Sequence, residues 1–219
     1  MAKNHFDLIV FDWDGTLMDS TAAIVKSIQA AADALKLPVP DKETAAHVIG
    51  LGLYEAMEAV MPGADPAIYP QMAEQYRRLY LQFSQKITLF DGVIDMLKDL
   101  ASQDYQLAVA TGKSRRGLDR VLAETGTGHF FQATRTADQT HSKPHPAMLR
   151  EITEELGEDM ARTVMIGDTT HDLLMAANAG AAGIAVQYGA HPLDELKRLK
   201  PLYTAKSVIS LHDWLKKNA

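Results

Sequence analysis

At 219 residues, 47% apolar and 23% charged, the chain can bury a large core and has the composition of a globular protein, not of a fibre or a disordered segment. A formal charge of -6 argues against nucleic acid as a partner, because binding a phosphate backbone needs concentrated Lys and Arg; the nearest basic cluster, Lys197, Arg198 and Lys200, reads as the solvated face of a late helix. Cysteine is absent, which excludes disulfides, thiolate nucleophiles and cysteine metal sites; with no apolar run long enough for a membrane span or, beside Lys3, His5 and Asp7, for a secretory signal, a cytoplasmic protein is expected.

The first predicted element is a strand over 8–11, an unbroken apolar run that fits burial on both faces of a parallel sheet. It ends on Asp12-Trp13-Asp14-Gly15-Thr16. The pattern then turns helical: a helix capped by Ser20 or Thr21 runs through Ile24, Ile28, Ala31 and Leu35 to the stop at Pro38 and Pro40. Further helices are expected over 41–48, 54–61 and 68–84, separated by Gly50-Leu51-Gly52 and Pro62-Gly63. A parallel sheet alternates strands with single crossover helices, so this run predicts an inserted helical subdomain over 19–86, hinged near 18–21 and 86–90.

Alternation resumes at Asp91. Helices are predicted over 93–100, 115–124 (begun by Ser114), 146–156, 172–179 (ended by Gly180), 193–199 and 209–216. Between them lie strands over 106–110, 131–134, 163–166, 182–186 and near Ala205. Residues 1–18 and 87–219 therefore read as one α/β domain, a doubly wound, Rossmann-like parallel sheet. No internal repeat or low-complexity segment interrupts it.

Four stretches at strand ends carry candidate chemistry, and in open parallel sheets the ligand crevice lies outside those carboxyl ends. Asp12 and Asp14 close the first strand, where a lone Asp-Gly would read as a turn. Thr111 and Gly112 close the second, offering a hydroxyl and backbone N–H groups to an anion, or simply an N-cap. Lys143 is held in His141-Ser142-Lys143-Pro144-His145-Pro146, a loop its prolines keep from being helical; a lone Lys is usually a solvated charge. Asp168 and Asp172 straddle a helix start, where they serve the helix dipole or supply the hard oxygen ligands that Mg²⁺ prefers. His145 reads as a packing residue of its loop, and His171 as a neighbour of the acidic site or a surface residue, since a single His among carboxylates does not make a zinc or iron site.

Taken in order, Asp12-Trp13-Asp14-Gly15-Thr16, Thr111, Lys143-Pro144-His145-Pro146 and Gly167-Asp168 through Asp172 resemble the four signatures of the haloacid dehalogenase superfamily over nearly the whole chain. That superfamily is mostly Mg²⁺-dependent phosphatases, and the helical insertion is similar to the cap found after the first signature in one large branch of it. The resemblance implies Asp12 as nucleophile, Asp14 as general acid and base, Thr111, Gly112 and Lys143 as phosphate ligands, and Mg²⁺ held by Asp12, the Asp14 carbonyl and Asp168, with Asp172 a direct or an indirect ligand. The carboxylate at Asp14 disfavours dehalogenation, which has no alkoxide to protonate. No Lys lies between Lys42 and Lys86 to form the Schiff base of phosphonoacetaldehyde hydrolases. The lack of Lys or Arg over 48–55 disfavours β-phosphoglucomutase, which Arg77 and Arg78 keep open.

Within the branch, the Gly50 region, Lys143-Pro144-His145-Pro146 and Asn178-Ala179-Gly180 most resemble phosphoglycolate phosphatases and their pyrophosphatase relatives. Gly50, Leu51 and Gly52 form either a specificity loop or a turn between helices. The expectation is a small phosphorylated metabolite as substrate, with no nucleic-acid or membrane partner and a monomer or homodimer. The alternatives are a pyrophosphatase, a phosphoglucomutase-like transferase, or a catalytically silent phosphate-binding protein.

Overall fold

The computed structural model describes residues 6–219; Lys3 and His5, weighed above for a secretory signal, lie outside them. Six parallel strands, β1 (Leu8–Phe11), β2 (Gln106–Thr111), β3 (Ala133–Thr136), β4 (Thr163–Gly167), β5 (Ala182–Val186) and β6 (Tyr203–Ala205), form one sheet in the order β3-β2-β1-β4-β5-β6. Residue parity divides its faces. Ile9, Phe11, Leu107, Val109, Val164 and Ile166 face a core completed by α5 (Val93–Ser102), α6 (Arg115–Thr125) and α10 (Val208–Asn218). Leu8, Val10, Ala108, Ala110 and Met165 pack on the other side against α7 (Ala147–Leu156) and α8 (Thr170–Ala179), while α9 (Leu193–Arg198) covers β5 through Leu196. Both faces are buried, which is why these strands read as continuous apolar runs.

Between β1 and α5 the chain is helical. α1 (Thr21–Ala34), α2 (Lys42–His47), α3 (Leu53–Val60) and α4 (Ile68–Phe83) share their own apolar cluster, including Ile28, Ala31, Met57 and Met72. The chain leaves and re-enters the sheet domain along two strands of backbone that touch: Asp19 N–H donates to the Thr88 carbonyl at 3.1 Å and Phe90 N–H to that of Leu17 at 3.0 Å. Among the described residues no helix is long and apolar enough to cross a membrane.

Two local expectations are corrected. The strand expected over 131–134 is displaced to Ala133–Thr136, because Phe130 is buried in the core and Phe131 meets Trp13 edge-on at 6.3 Å, which uses both rings in a turn before the strand begins. Ser20 flanks α1 but makes no side-chain cap; its hydroxyl is used elsewhere.

Candidate active site

The register of the central strands builds the site. Phe11 lies opposite Val109 on β2 and Ile166 on β4, so Asp12, Thr111 and Asp168 all emerge at the carboxyl edge of adjacent strands. Asp12, Asp168 and Asp172 are fully buried, and their carboxylate oxygens lie within 4.8 Å of one another. Lys143 reaches into this cluster: its Nζ donates to Asp12 Oδ1 and to Asp172 Oδ1, both at 2.6 Å. Asp172 is committed on both oxygens, since its Oδ2 accepts from Thr169 N–H at 3.0 Å and Thr169 Oγ1 at 2.7 Å, closing a capping box at the start of α8. The visible work of Asp172 is thus to hold Lys143 and begin the helix.

Asp168 is oriented by Thr16 Oγ1, donating to Oδ1 at 2.9 Å, and by Ala190 N–H, donating to Oδ2 at 2.6 Å. Gly15 makes room for it: its φ of 83° is left-handed, and a Cβ there would lie 2.2 Å from Asp168 Oδ2. Burial, then the charges of Asp12 and Asp172, hold the Asp168 carboxyl well above the usual carboxylate range. Burial likewise pushes Asp12 up to about 7, with the Lys143 ammonium opposing and the Asp172 charge adding.

The donor set fits a divalent cation. Three buried carboxyl groups outnumber the single ammonium, so their full ionisation needs a further cation, and Asp12 Oδ2 is buried without a hydrogen-bond partner. Hard oxygen donors of this kind suit Mg²⁺ or a similar ion.

Beside this cluster sits Asp14, at the edge of a cavity. Its Oδ1 accepts from Ser20 Oγ at 2.6 Å and Lys113 Nζ at 2.9 Å, and Lys113 also reaches Tyr80 Oη at 3.3 Å. Neither Ser20 nor Lys113 is singled out by sequence reasoning, although Lys113 directly follows the Thr111-Gly112 pair that is. Replacing Lys113 by Met removes one of the two groups that aim Asp14 and is expected to lower kcat on the order of 10- to 100-fold with a smaller change in KM. Steady-state kinetics on the variant check this.

The Gly50-Leu51-Gly52 loop lies against these residues. Gly52 N–H donates to Ser142 Oγ at 2.7 Å, and a Cβ on Gly112 would meet the carbonyl oxygens of Leu51 at 2.4 Å and Gly50 at 2.6 Å. The Gly50-Leu51-Gly52 loop is therefore a contact with the sheet domain as well as part of the cavity wall. Gly112→Ala drives a methyl into backbone and is expected to hold the subdomains apart, lowering kcat/KM by on the order of tenfold or more while the far-UV circular dichroism stays unchanged.

The cavity holds about 700 Å³, within the range of small-molecule sites. Ile28, Leu51, Met57, Tyr76 and Tyr80 give it an apolar wall, with Tyr76 and Tyr80 stacked at 5.7 Å. Arg77, Arg116 and Arg120 also line it, and Arg120 Nε is buried without a hydrogen bond, 3.7 Å from Glu124 Oε1. Arg78, by contrast, donates to Gln75 on the exposed face of α4.

The model of the haloacid dehalogenase-like hydrolases matches residues 9–186, from β1 to the end of β5. The chain belongs to this family. The probable phosphatase IndB of Dickeya dadantii is 37% identical over 201 residues, covering 89% of this chain and 86% of its own length. Pyrophosphatase PpaX of Bacillus pumilus is 29% identical, covering 96% and 97%. Among solved structures, a predicted phosphoglycolate phosphatase from Haemophilus somnus superposes with a TM-score of 0.84 at 25% identity, covering both chains fully. In this hydrolase the family match takes in Asp12, Asp14, Thr111, Lys143, Asp168 and Asp172.

Proposed function

We propose that this hydrolase is a Mg²⁺-dependent phosphatase of small phosphomonoesters, and the observation that carries the reading is the buried triad of Asp12, Lys143 and Asp172 beside the unpartnered Asp12 oxygen. Asp12, Asp168 and the Asp14 carbonyl would hold Mg²⁺, which supplies neutralisation of phosphoryl charge. The Asp12 carboxylate attacks phosphorus, forming an aspartyl-phosphate as the bond to the leaving alcohol breaks. Lys143 and Thr111 steady the phosphoryl oxygens. Asp14, aimed by Ser20 and Lys113, protonates the alcohol and then takes the proton of the water that opens the aspartyl-phosphate. Residues 19–86 act as a cap over this chemistry and select the alcohol, which meets Tyr76, Tyr80 and the arginines of the cavity. The protein works in the cytoplasm as a monomer or homodimer.

The test is phosphate release with Mg²⁺ against phosphoglycolate, pyrophosphate, sugar phosphates and aryl phosphates. Release from a monoester carries the reading; pyrophosphate as the dominant substrate, a reading favoured by the PpaX similarity, would place the enzyme with that relative. Tight phosphate binding without turnover under any divalent metal would make it a binding protein. If the cap moves, solution scattering should contract on adding Mg²⁺ with a phosphate mimic, and identical profiles would refute the motion.

The raised pKa of Asp12 has a definite sign. A carboxyl that holds its proton up to about pH 7 stabilises the metal-free fold at acid pH, and that contribution is lost as pH rises through about 7. A cation must displace the same proton, so the Mg²⁺-induced rise in Tm is expected to be large at pH 8 and to shrink steadily towards pH 5.5. Thermal scans across that range, with and without Mg²⁺, measure both effects.

A further inference from the structure

A second group of metal-ligating side chains lies where the cap meets the sheet domain. His47 is the last residue of α2, His171 stands in the first turn of α8, and His191 follows β5. We propose that His47, His171 and His191 form a site for a zinc-like transition-metal ion that ties the cap to the sheet domain. The ring nitrogens of all three approach within 4.8 Å of one another. His171 Nε2 and His191 Nε2 converge on one atom, the His47 carbonyl oxygen, at 2.9 and 3.0 Å. Two imidazole nitrogens and an oxygen at that spacing surround a point that one ion can occupy in place of the two N–H hydrogens. The ring of His47 supplies the third nitrogen.

In the present arrangement the His47 ring stacks on His191 at 4.5 Å and stands edge-on to His171 at 5.8 Å, so it must turn to coordinate. That turn is inexpensive: the side chain is 51% exposed and its ion-pair contact is Glu195 Oε2 at 3.4 Å, itself an available oxygen ligand. Binding also moves the ring proton of each of His171 and His191 from Nε2 to Nδ1; at His191 Thr170 Oγ1, at 3.2 Å, then accepts it, in exchange for the bond that Thr170 N–H donates to Nδ1 at 3.1 Å. Burial pushes both His171 and His191 down, the latter to about 4, so each ring is neutral and able to ligate at physiological pH.

The chemistry separates this site from the acidic one nearby. Imidazole suits zinc, copper and nickel, whereas the Asp12, Asp168 and Asp172 oxygens suit Mg²⁺. Lys143 lies close enough to be felt at His171, but its charge is engaged by Asp12 and Asp172. Because His47 belongs to the cap and the other two to the sheet domain, a bound ion opposes opening and slows turnover.

The experiment is calorimetric titration of Zn²⁺ into the full chain with Mg²⁺ saturating, repeated on His47→Gln, His191→Gln and Asp168→Asn. The expected result is a single Zn²⁺ per chain, weakened about tenfold or more in both histidine variants and retained in Asp168→Asn. His47→Gln, an exposed change, guards against loss by unfolding and should keep phosphate release while escaping slowing by Zn²⁺. No Zn²⁺ uptake by the native chain, native affinity in both histidine variants, or loss on Asp168→Asn alone would overturn the site.

Discussion

Asp12→Asn is expected to give a folded protein whose phosphate release with Mg²⁺ falls by on the order of 10⁴-fold or more. The substitution keeps size and shape but removes the carboxylate proposed as nucleophile, beside Lys143. Because burial already disfavours the Asp12 charge, replacing it with a neutral amide is expected to leave the metal-free Tm unchanged or raised. Lys143 keeps Asp172 as its partner at 2.6 Å, so no buried ammonium is stranded. Phosphate release and thermal scans on one preparation measure both; residual turnover near the native rate would place the nucleophile elsewhere.

Lys143→Met is expected to be equally inactive, with the opposite effect on stability. Lys143 is buried at the meeting point of Asp12 and Asp172, and without it three carboxylates confront one another away from water. Removing one partner of a buried ion pair costs about 3–5 kcal/mol, which for a chain of this size lowers Tm on the order of 10 °C. Mg²⁺ should recover part of the loss, since it too offsets the carboxylate charge. Two inactive variants whose metal-free Tm values move apart would separate the chemistry of the site from its electrostatics. A Lys143→Met protein as stable as the native chain would show that the carboxylates are neutral there without the ammonium.

Much of the architecture was legible because its causes are local. The apolar run Leu8–Phe11 announces a doubly buried strand, Ser114 caps α6 by accepting from Gly117 N–H as expected, and consecutive helical periods between β1 and α5 could not be crossovers of a parallel sheet. Where the reading slipped, a side chain had a stronger use than its local role. Phe131 reads as a strand residue and instead packs on Trp13 before β3 begins. Ser20 looked like an N-cap and instead donates to Asp14. His171, read as a single histidine among carboxylates, meets His47 of α2 and His191 only in the folded chain.

Which residue types stand at which strand ends is legible in the chain order, and with the family resemblance that is enough to nominate Asp12, Asp14, Thr111, Lys143, Asp168 and Asp172. Strand periodicity and turn chemistry act over a few residues, so they are written in the order of the chain. The pairings that set the environment of those residues exist only once the chain is folded. Lys143 to Asp12 spans 131 positions, Lys113 to Asp14 spans 99, and Thr16 to Asp168 spans 152. Proton affinity, orientation and charge balance depend on which groups share a few ångströms of dry space. That proximity arises from parallel strand register, which no local pattern encodes.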